Sequence, residues 1–410
     1  MYQISSTTNS LRGNIQLPFS KSESNRALII QHLASQPFAI HNLSDADDTI
    51  ILQKLLKSNE PVLNCGDGGT TFRFLLACLA LKGEDKIITG STRLCSRPVK
   101  PLVDALNQLG ALITYLEREN FPPLKIGKGD FTKTNSISIA ADISSQFISA
   151  LLMISPLLPN GLQIILEEKV LSKPYLQMTL MMMNWFGIDY LFNQNIIEIK
   201  PQQYTARDIT ISADWSAASY VYEMVALAND ADLLLTGLNN HSMQGDKVIS
   251  ELMQQFGVHS IEENNGIRII KKATVTLPDK FEYDFTDCPD LAQTFAIMCA
   301  ALNIECTLSG LDNLAIKETN RKTALQTEIA KLGKQVMIND NSLLILKNNP
   351  TFPIDQAFKS YHDHRMIMAL TPLAIRFSPI NIDSINDVSK SFPGFWKEVN
   401  KLGVTVSEQV

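Results

Sequence analysis

The sequence predicts an α/β or α+β fold that is divided into two domains. Segments with the residue pattern of strands and segments with the pattern of helices alternate from one end of the chain to the other. A chain of 410 residues is longer than one hydrophobic core usually accommodates. Apolar residues make up 45% of the chain and charged residues 19%, which is typical of a globular protein and excludes a disordered or fibrous one.

Two turn-rich stretches are the best candidate domain boundaries. They lie near residues 18–20 and 212–216, and no low-complexity linker divides the chain. Two boundaries would mean that the sequence of one domain interrupts that of the other. The predicted strands cover residues 14–17, 86–89, 162–167, 196–199, 209–211, 233–236, 267–270 and 342–346.

Small or polar residues precede seven apolar segments that we predict to be helices. These segments cover residues 26–33, 72–81, 147–158, 175–186, 217–227, 291–302 and 364–375. Helix starts offer unpaired N–H groups and the positive end of the helix dipole, and so can bind anions. Simple capping would explain each start alone, but cations accompany several of them, namely Lys21, Arg26, Lys173, His364 and Arg365. If the fold brings these starts together, they would bind phosphate and carboxylate groups.

Composition and charge exclude several other classes of protein. The net charge of −6 argues against binding to nucleic acid or to acidic membranes, because proteins of those classes are usually basic. The first residues show no signal-peptide pattern, and the longest apolar stretch, residues 147–159, is too short to span a bilayer. None of the six cysteines forms a CxxC pair, which favours reduced thiols. We therefore expect a cytoplasmic protein.

Several charged groups are candidates for binding or chemistry. Lys21 and Arg26 could bind a carboxylate or phosphate, although a solvated basic turn would also explain them. Asn313, Lys317 and Arg321 would share one face if they lie on one helix, and an exposed charged helix is the alternative.

One carboxylate and one pair of histidines raise further possibilities. Asp290 precedes an apolar segment and is the carboxylate that we select as a general base, with a simple helix cap as the alternative. His362 and His364 suggest a metal site, but no third ligand appears at a matching spacing. We expect no metal, and we assign His364 and Arg365 to the positive end of a helix.

About ten short motifs occur in a recognisable order between residues 20 and 393. They are Ser20-Lys21-Ser22-x-Ser24-Asn25-Arg26, Gly69-Thr70-x-x-Arg73, Arg97-Pro98, Ser144-Ser145-Gln146-Phe147, Ser172-Lys173-Pro174-Tyr175, Ser242-Met243-Gln244-Gly245-Asp246, Pro289-Asp290, Lys317-Glu318-Thr319-x-Arg321, Asp363-His364-Arg365-Met366 and Lys390-Ser391-Phe392-Pro393. Each motif alone is weak. Together they resemble the 5-enolpyruvylshikimate-3-phosphate synthase family.

The resemblance implies two similar domains built from repeated βαβαββ units, with helix N-termini facing an interdomain cleft. It places residues 19–212 in one domain, on the shikimate 3-phosphate side. Residues 1–18 and 213–410 then form a discontinuous second domain that carries Asp290, Glu318 and Arg365. It also implies that the two domains close around the first substrate and exclude water.

The resemblance further implies transfer of the enolpyruvyl group of phosphoenolpyruvate to the 5-hydroxyl of shikimate 3-phosphate, with release of phosphate, in chorismate and aromatic amino-acid biosynthesis. The catalytic residues would be Lys21, Asp290, Glu318 and His364, with Asp290 as the base and Glu318 as the proton donor. The residues that bind shikimate 3-phosphate would be Ser22, Arg26, Ser144, Ser145, Gln146, Ser172, Tyr175, Asp290, Asn313 and Lys317. Those that surround phosphoenolpyruvate would be Lys21, Gly69, Arg97, Arg321, Arg365 and Lys390.

Two other functions remain as alternatives. The related UDP-N-acetylglucosamine enolpyruvyl transferases carry a reactive Cys five residues before the Arg-Pro pair, where this chain has Thr92. A non-catalytic anion-binding protein is the other alternative, and the presence of both Asp290 and Glu318 argues against it. We expect no cofactor, no nucleic-acid or membrane partner, and a monomer. Phe19 and Asn320 depart from the family pattern, but neither position removes a charged residue from the expected mechanism.

Overall fold

The chain folds into two compact units. A computed structural model describes residues 1–140, 144–168, 170–350 and 356–409. Residues Phe19–Ile211 form one unit, which we call the inserted unit. Residues Met1–Pro18 and Ser212–Val410 form the other, which we call the outer unit, because its sequence surrounds that of the inserted unit. No helix among the described residues is long and apolar enough to cross a membrane.

Strands and helices alternate along the chain. The described strands are β1 Tyr2–Ser6, β2 Ser10–Gln16, β3 Ile40–His41, β4 Val62–Asn64, β5 Lys86–Thr89, β6 Leu112–Tyr115, β7 Leu124–Gly127, β8 Ser136–Ala140, β9 Leu162–Glu167, β10 Leu191–Asn193, β11 Ile196–Ile199, β12 Ile209–Thr210, β13 Asp230–Thr236, β14 Val258–Glu263, β15 Gly266–Lys271, β16 Lys280–Asp284, β17 Glu305–Ser309, β18 Val336–Ile338, β19 Leu343–Ile345, β20 Ile380–Ile382 and β21 Val404–Glu408. The described helices are α1 Lys21–Leu33, α2 Asp47–Leu55, α3 Gly69–Lys82, α4 Thr92–Cys95, α5 Lys100–Leu109, α6 Ser145–Ile154, α7 Lys173–Trp185, α8 Trp215–Leu227, α9 Ile249–Leu252, α10 Ala292–Leu302, α11 Arg321–Ala330, α12 His364–Leu370, α13 Leu373–Phe377 and α14 Phe395–Asn400.

One sheet topology recurs in the described part of both units. In the inserted unit, the orders β4-β5-β7-β6 and β8-β9-β11-β10 each combine a parallel pair with an antiparallel hairpin. In the outer unit, the orders β2-β13-β15-β14 and β16-β17-β19-β18 repeat this arrangement. A helix precedes the second strand of each parallel pair, and another follows it, which is the βαβαββ unit. The predicted fold is therefore confirmed.

Helices form the interior of each unit. Every residue of α8 and of α10 is buried, as expected for helices that are apolar on all sides. The strands β9 and β13 alternate between buried and half-buried positions, so one face of each sheet packs on helices and the other is more exposed. The outer unit has one continuous core that includes Trp215, Phe295 and Phe395.

Several helices start earlier than the apolar pattern predicts. α1 starts at Lys21, α3 at Gly69 and α7 at Lys173, so these polar residues form the first helical turn. Two long predicted helices are interrupted at prolines, because proline lacks the N–H group that a helix interior needs. The first becomes a 3₁₀ turn at Ser155–Leu157, and the second is divided into α12 and α13 by Pro372.

Candidate active site

The site residues predicted from the sequence fall into two groups, one in each unit, which we call the inserted-unit cluster and the outer-unit cluster. The inserted-unit cluster contains Lys21, Ser22, Arg26, Gly69, Arg97, Ser144, Ser145, Gln146, Ser172 and Tyr175, which lie at or beside the starts of α1, α3, α6 and α7. The outer-unit cluster contains Asp290, Asn313, Lys317, Glu318, Arg321, His364, Arg365 and Lys390. They lie at or before the starts of α10, α11 and α12, and at the end of the 3₁₀ helix Asn386–Lys390.

Arg26 connects three helix starts of the inserted-unit cluster. Its guanidinium is buried and donates to the Thr179 hydroxyl at 2.7 Å, the Ser149 hydroxyl at 3.2 Å, and the carbonyls of Ser22 at 3.0 Å and Tyr175 at 3.2 Å. Burial lowers the pKa of Arg26 to about 10, which keeps it charged at neutral pH. Because four of its five N–H groups already serve these acceptors, Arg26 can offer one more to a ligand.

Two arginines lie against the start of α3. A Cβ atom added at Gly69 would be 2.6 Å from Nη1 of Arg73 and 2.7 Å from Nη1 of Arg97, so glycine is what leaves room for both guanidiniums. Arg73 donates to Oε1 of Gln146 at 2.8 Å, which connects α3 to the start of α6. The sequence motif includes Arg73, but we did not select it as a site residue.

Three serines stand at helix starts, and they differ in how their hydroxyls are used. Ser144 caps α6 by accepting from the N–H of Gln146 at 3.3 Å, and Ser145 is the first residue of that helix. Ser172 precedes α7 with a left-handed backbone, φ +57°, and its hydroxyl makes no capping bond to the described residues of that helix. A buried hydroxyl beside the N–H groups of a first turn is a suitable donor to phosphate.

Lys21 is paired with a carboxylate that the sequence did not suggest. Its ammonium lies 3.1 Å from Oδ2 of Asp48, which is buried at the start of α2. The carbonyl of Asp48 also accepts from the Thr71 hydroxyl at 2.8 Å. Acidic residues at a helix start are common caps, so the sequence pattern alone does not distinguish Asp48 from its neighbours.

Asp290 is the centre of the outer-unit cluster. Its carboxylate lies 2.7 Å from Nη2 of Arg365, 3.2 Å from Nη1 of Arg321 and 3.9 Å from Nζ of Lys317. Burial favours the neutral acid, but these three cations outweigh it and hold the pKa of Asp290 well below its usual range. Asp290 is therefore an ionised carboxylate surrounded by cations.

Arg321 and Glu318 extend this network. Arg321 is buried; it donates to Oε2 of Glu318 at 2.9 Å and to Asp363 at 2.8 and 3.1 Å. The other oxygen of Glu318 lies 3.1 Å from Nζ of Lys390. Four cations and three carboxylates thus meet in one region of the outer unit, where every one of these side chains is buried or at most 22% exposed.

The prediction that Asn313, Lys317 and Arg321 lie on one helix is wrong. Residues Asp312–Ile316 form a 3₁₀ helix, Lys317 has an extended backbone, and α11 begins only at Arg321. The cause is Asn320, whose side chain accepts from the N–H of Thr323 and starts a new helix. Lys317 and Arg321 nevertheless both approach Asp290, while the buried Oδ1 of Asn313 accepts no hydrogen bond from the described residues.

Two further carboxylates belong to the outer-unit cluster, although we did not select them from the sequence. Asp363 caps α12 and binds Arg321, and His364, with its ring buried, follows it as the first residue of α12. Asp246 is fully buried, and its carboxylate accepts a hydrogen bond from the Ser216 hydroxyl at the start of α8. Burial and the charge of Asp290 raise the pKa of Asp246 to about 7. Both residues occur in the sequence motifs, and their acidic side chains were the feature that could have indicated a role in the site.

Comparisons of the sequence with known proteins show its family. The sequence pattern of the family described as EPSP synthase (3-phosphoshikimate 1-carboxyvinyltransferase) matches residues 51–399. The chain is 42% identical over 417 aligned positions to the 3-phosphoshikimate 1-carboxyvinyltransferase of Bacteroides fragilis, and the alignment covers all of both chains. It is 33% identical to the protein of that name from Vibrio campbellii, covering 96% of this chain and 97% of the relative.

Solved structures support the same fold. EPSP synthase from Acinetobacter baumannii superposes with a TM-score of 0.79 at 21% identity, covering 100% of both chains. The enolpyruvyl transferase NikO from Streptomyces tendae superposes with a TM-score of 0.74 at 13% identity, covering 99% of this chain and 98% of NikO. The sequence match and the full-length relatives show that this chain belongs to the EPSP synthase family.

Proposed function

We propose that this protein transfers the enolpyruvyl group of phosphoenolpyruvate to the 5-hydroxyl of shikimate 3-phosphate and releases phosphate. Family membership supports this reaction and its place in aromatic biosynthesis. The observation that carries the proposal is the environment of Asp290, a carboxylate whose side chain is only 15% exposed and contacts three cations. Both substrates are anions, and buried cations offset the cost of taking them out of water.

Asp290 accepts the proton of the attacking hydroxyl in this proposal. A carboxylate whose pKa is held far below its usual range is a weak base, so the isolated protein does not have Asp290 in its most reactive state. When a substrate binds, Arg365 and Arg321 can leave Asp290 and contact the phosphate or carboxylate of that substrate instead. Loss of these counter-charges raises the basicity of Asp290 when the hydroxyl is in place.

Glu318 is the proposed proton donor to the methylene carbon. Its two oxygens contact Arg321 and Lys390, and opposite charges favour the ionised carboxylate, which cannot donate. Glu318 can carry a proton once these two cations turn toward the anionic substrate. The same movement of cations would therefore prepare both the base and the acid.

The inserted-unit cluster supplies most of the proposed contacts to shikimate 3-phosphate. Ser144, Ser145 and Ser172, with Lys317 of the outer unit, would hold its phosphate, while Ser22 and Arg26 would hold its carboxylate. Gln146, Tyr175 and Asn313 would fit its ring and hydroxyls. Lys21, Gly69, Arg97, Arg321, Arg365 and Lys390 would bind phosphoenolpyruvate, and Lys21 and His364 would stabilise charge that develops during the reaction.

A coupled phosphate-release assay tests the proposed function. Purified protein supplied with both substrates should release phosphate, and omission of either substrate should abolish release. Replacement of shikimate 3-phosphate by UDP-N-acetylglucosamine should also give no phosphate. No release with the correct pair would contradict the proposed reaction and favour a binding protein.

We also infer a monomer that acts on small molecules in the cytoplasm. Both clusters draw their residues from a single chain, so the proposed mechanism needs no second copy. Light scattering should give a mass near the 45.6 kDa of one chain. A stable dimer mass would contradict this part of the proposal.

A further inference from the structure

Helix α11 binds the segment of residues 359–363 at both ends. At the start of the segment, the carboxylate of Glu328 accepts from the N–H of Lys359 at 2.9 Å and from the hydroxyl of Tyr361 at 2.6 Å. At its end, the carboxylate of Asp363 accepts from Arg321 at 2.8 and 3.1 Å. Glu328 and Arg321 lie seven positions apart, so they share one face of α11, about 10 Å apart along its axis.

The backbone between these two contacts is unusual. Tyr361 has φ +56° and His362 has φ +52°, both in the left-handed region that residues with side chains rarely occupy. The N–H of Asp363 donates to the carbonyl of Ser360 at 3.0 Å and closes the turn. Such a backbone persists only when its surroundings hold it, and the side chain of His362, which is 89% exposed, provides little packing.

Glu328 is fixed firmly enough to hold the turn. It is fully buried, and the ammonium of Lys331 contacts it at 2.6 Å while also donating to the carbonyl of Ala357 at 2.7 Å. On the other side of the segment, the N–H of Ser360 donates to Asp383 at 2.8 Å, immediately after β20. The turn is thus held between α11 and the end of β20.

The residue that follows the turn contacts two arginines. Asp363 follows the turn directly; it binds the guanidinium of Arg321 and caps the backbone N–H of Arg365 at 3.0 Å. Arg321 and Arg365 are the two guanidiniums that contact Asp290. A small displacement of Asp363 would therefore move both cations relative to Asp290.

We propose that Glu328 is a positioning residue for the reaction, because it holds the left-handed turn at Tyr361 and His362 and thereby places Asp363, Arg321 and Arg365. Glu328 lies in none of the sequence motifs. Among the described residues its carboxylate contacts Lys331, Lys359 and Tyr361, none of which belongs to the outer-unit cluster. This inference rests on the proposed function for its kinetic effect, whereas its structural effect can be measured without substrate.

The test compares Glu328→Gln and Tyr361→Phe with the parent protein, and Glu408→Gln serves as a control for the same change at an exposed glutamate. Glutamine keeps the size of Glu328 but has one acceptor oxygen where the carboxylate has two. We expect Glu328→Gln to lower kcat for phosphate release by at least about 10-fold, because small displacements of catalytic groups have large effects on rate. The KM for each substrate should change much less. Tyr361→Phe should give a smaller loss of kcat, and the double variant should be little worse than Glu328→Gln, because both changes break the same contact.

Hydrogen exchange provides a second readout that does not depend on activity. The amides of Asp363 and Arg365 donate to the carbonyl of Ser360 and to the side chain of Asp363. They should exchange faster in Glu328→Gln than in the parent or in Glu408→Gln. If Glu328→Gln does not fold, Tyr361→Phe decides the question by the same two readouts.

The outcomes separate this inference from the proposed function. The positioning role would be overturned if folded Glu328→Gln had the kcat and the hydrogen-exchange rates of the parent. If Glu328→Gln does not fold, the same result in Tyr361→Phe would overturn it. A parent protein that releases no phosphate would overturn the proposed function. The hydrogen-exchange rates would still test whether Glu328 holds the turn.

Discussion

Gly69 is the position where adding one methyl group should weaken substrate binding with little effect on folding. In Gly69→Ala, the new Cβ would lie 2.6 Å from Nη1 of Arg73 and 2.7 Å from Nη1 of Arg97. Ordinary contact begins at 3.4 Å, so each guanidinium would have to retreat by about 0.7–0.8 Å. Both atoms are ends of flexible side chains, so the fold can accommodate the change.

The expected magnitude follows from the interaction that is displaced. A charge-assisted hydrogen bond contributes about 1.5–3 kcal/mol, so the loss of one such bond to phosphoenolpyruvate should raise its KM by about 10- to 160-fold. The free energy of unfolding should change by less than about 1 kcal/mol, because alanine is at least as favourable as glycine in a helix. Phosphate-release kinetics and urea denaturation measure the two quantities.

Gly394→Ala provides the matched control. Among the described residues, a Cβ there would lie within 4 Å of a single atom, Cε2 of Phe392 at 3.9 Å, and the backbone φ of −82° suits alanine. This variant should keep the parental KM for both substrates. An unchanged KM for phosphoenolpyruvate in Gly69→Ala, or an equal rise in Gly394→Ala, would refute the reasoning.

Three other substitutions give predictions of different kinds. Arg365→Ala removes the cation that most strongly lowers the pKa of Asp290 in the free protein, so that pKa should rise. As pH falls, kcat/KM of this variant should therefore decline at a higher pH than in the parent, and coincident pH profiles of kcat/KM would contradict the ion pair. Both carboxyl oxygens of Glu223 are buried and lack a hydrogen bond among the described residues, and burial raises the pKa of Glu223 well above its usual value. The folded parent then holds a proton that the unfolded chain releases, so its stability should fall as pH rises above about 4.5. Glu223→Met should remove this pH dependence and raise the free energy of unfolding by about 1–3 kcal/mol at pH 7.5. Equal urea midpoints for the variant and the parent would contradict this prediction. The lysine in Arg26→Lys cannot reproduce the four directed hydrogen bonds of Arg26. The variant should therefore lose about 2–4 kcal/mol of unfolding free energy and bind shikimate 3-phosphate more weakly. An unfolding free energy within about 0.5 kcal/mol of the parent would argue against this hydrogen-bond network.

The sequence predicts the fold well where apolar patterns and caps act locally. The strand at residues 86–89 and the helix that follows Asp214 both occur in the structure, because alternation and an N-cap are properties of a few adjacent residues. The extent of a helix is less predictable. α1 starts at Lys21 because Ser20 caps it, although the apolar stretch begins only at residue 26.

Pairings between distant residues are what the sequence could not predict. Lys21 and Asp48 pair across 27 positions, and Arg365 and Asp290 across 75. The motifs predict that Arg321 binds a ligand, but only the structure shows that Asp363 contacts its guanidinium. Residues such as Glu328 leave no local signal, since a buried glutamate and an exposed one look alike on a helix.

The most direct test of the mechanism is the turnover of Asp290→Asn with both substrates. Asparagine keeps the shape of Asp290 and removes the negative charge that three cations surround. We expect kcat to fall by at least about 10²-fold, because the proton acceptor is lost. Affinity for shikimate 3-phosphate by calorimetry should weaken only modestly, because the asparagine oxygen can still accept a hydrogen bond. Turnover within about 3-fold of the parent, well inside the effect expected for a missing acid–base group, would contradict the role of Asp290 as the base.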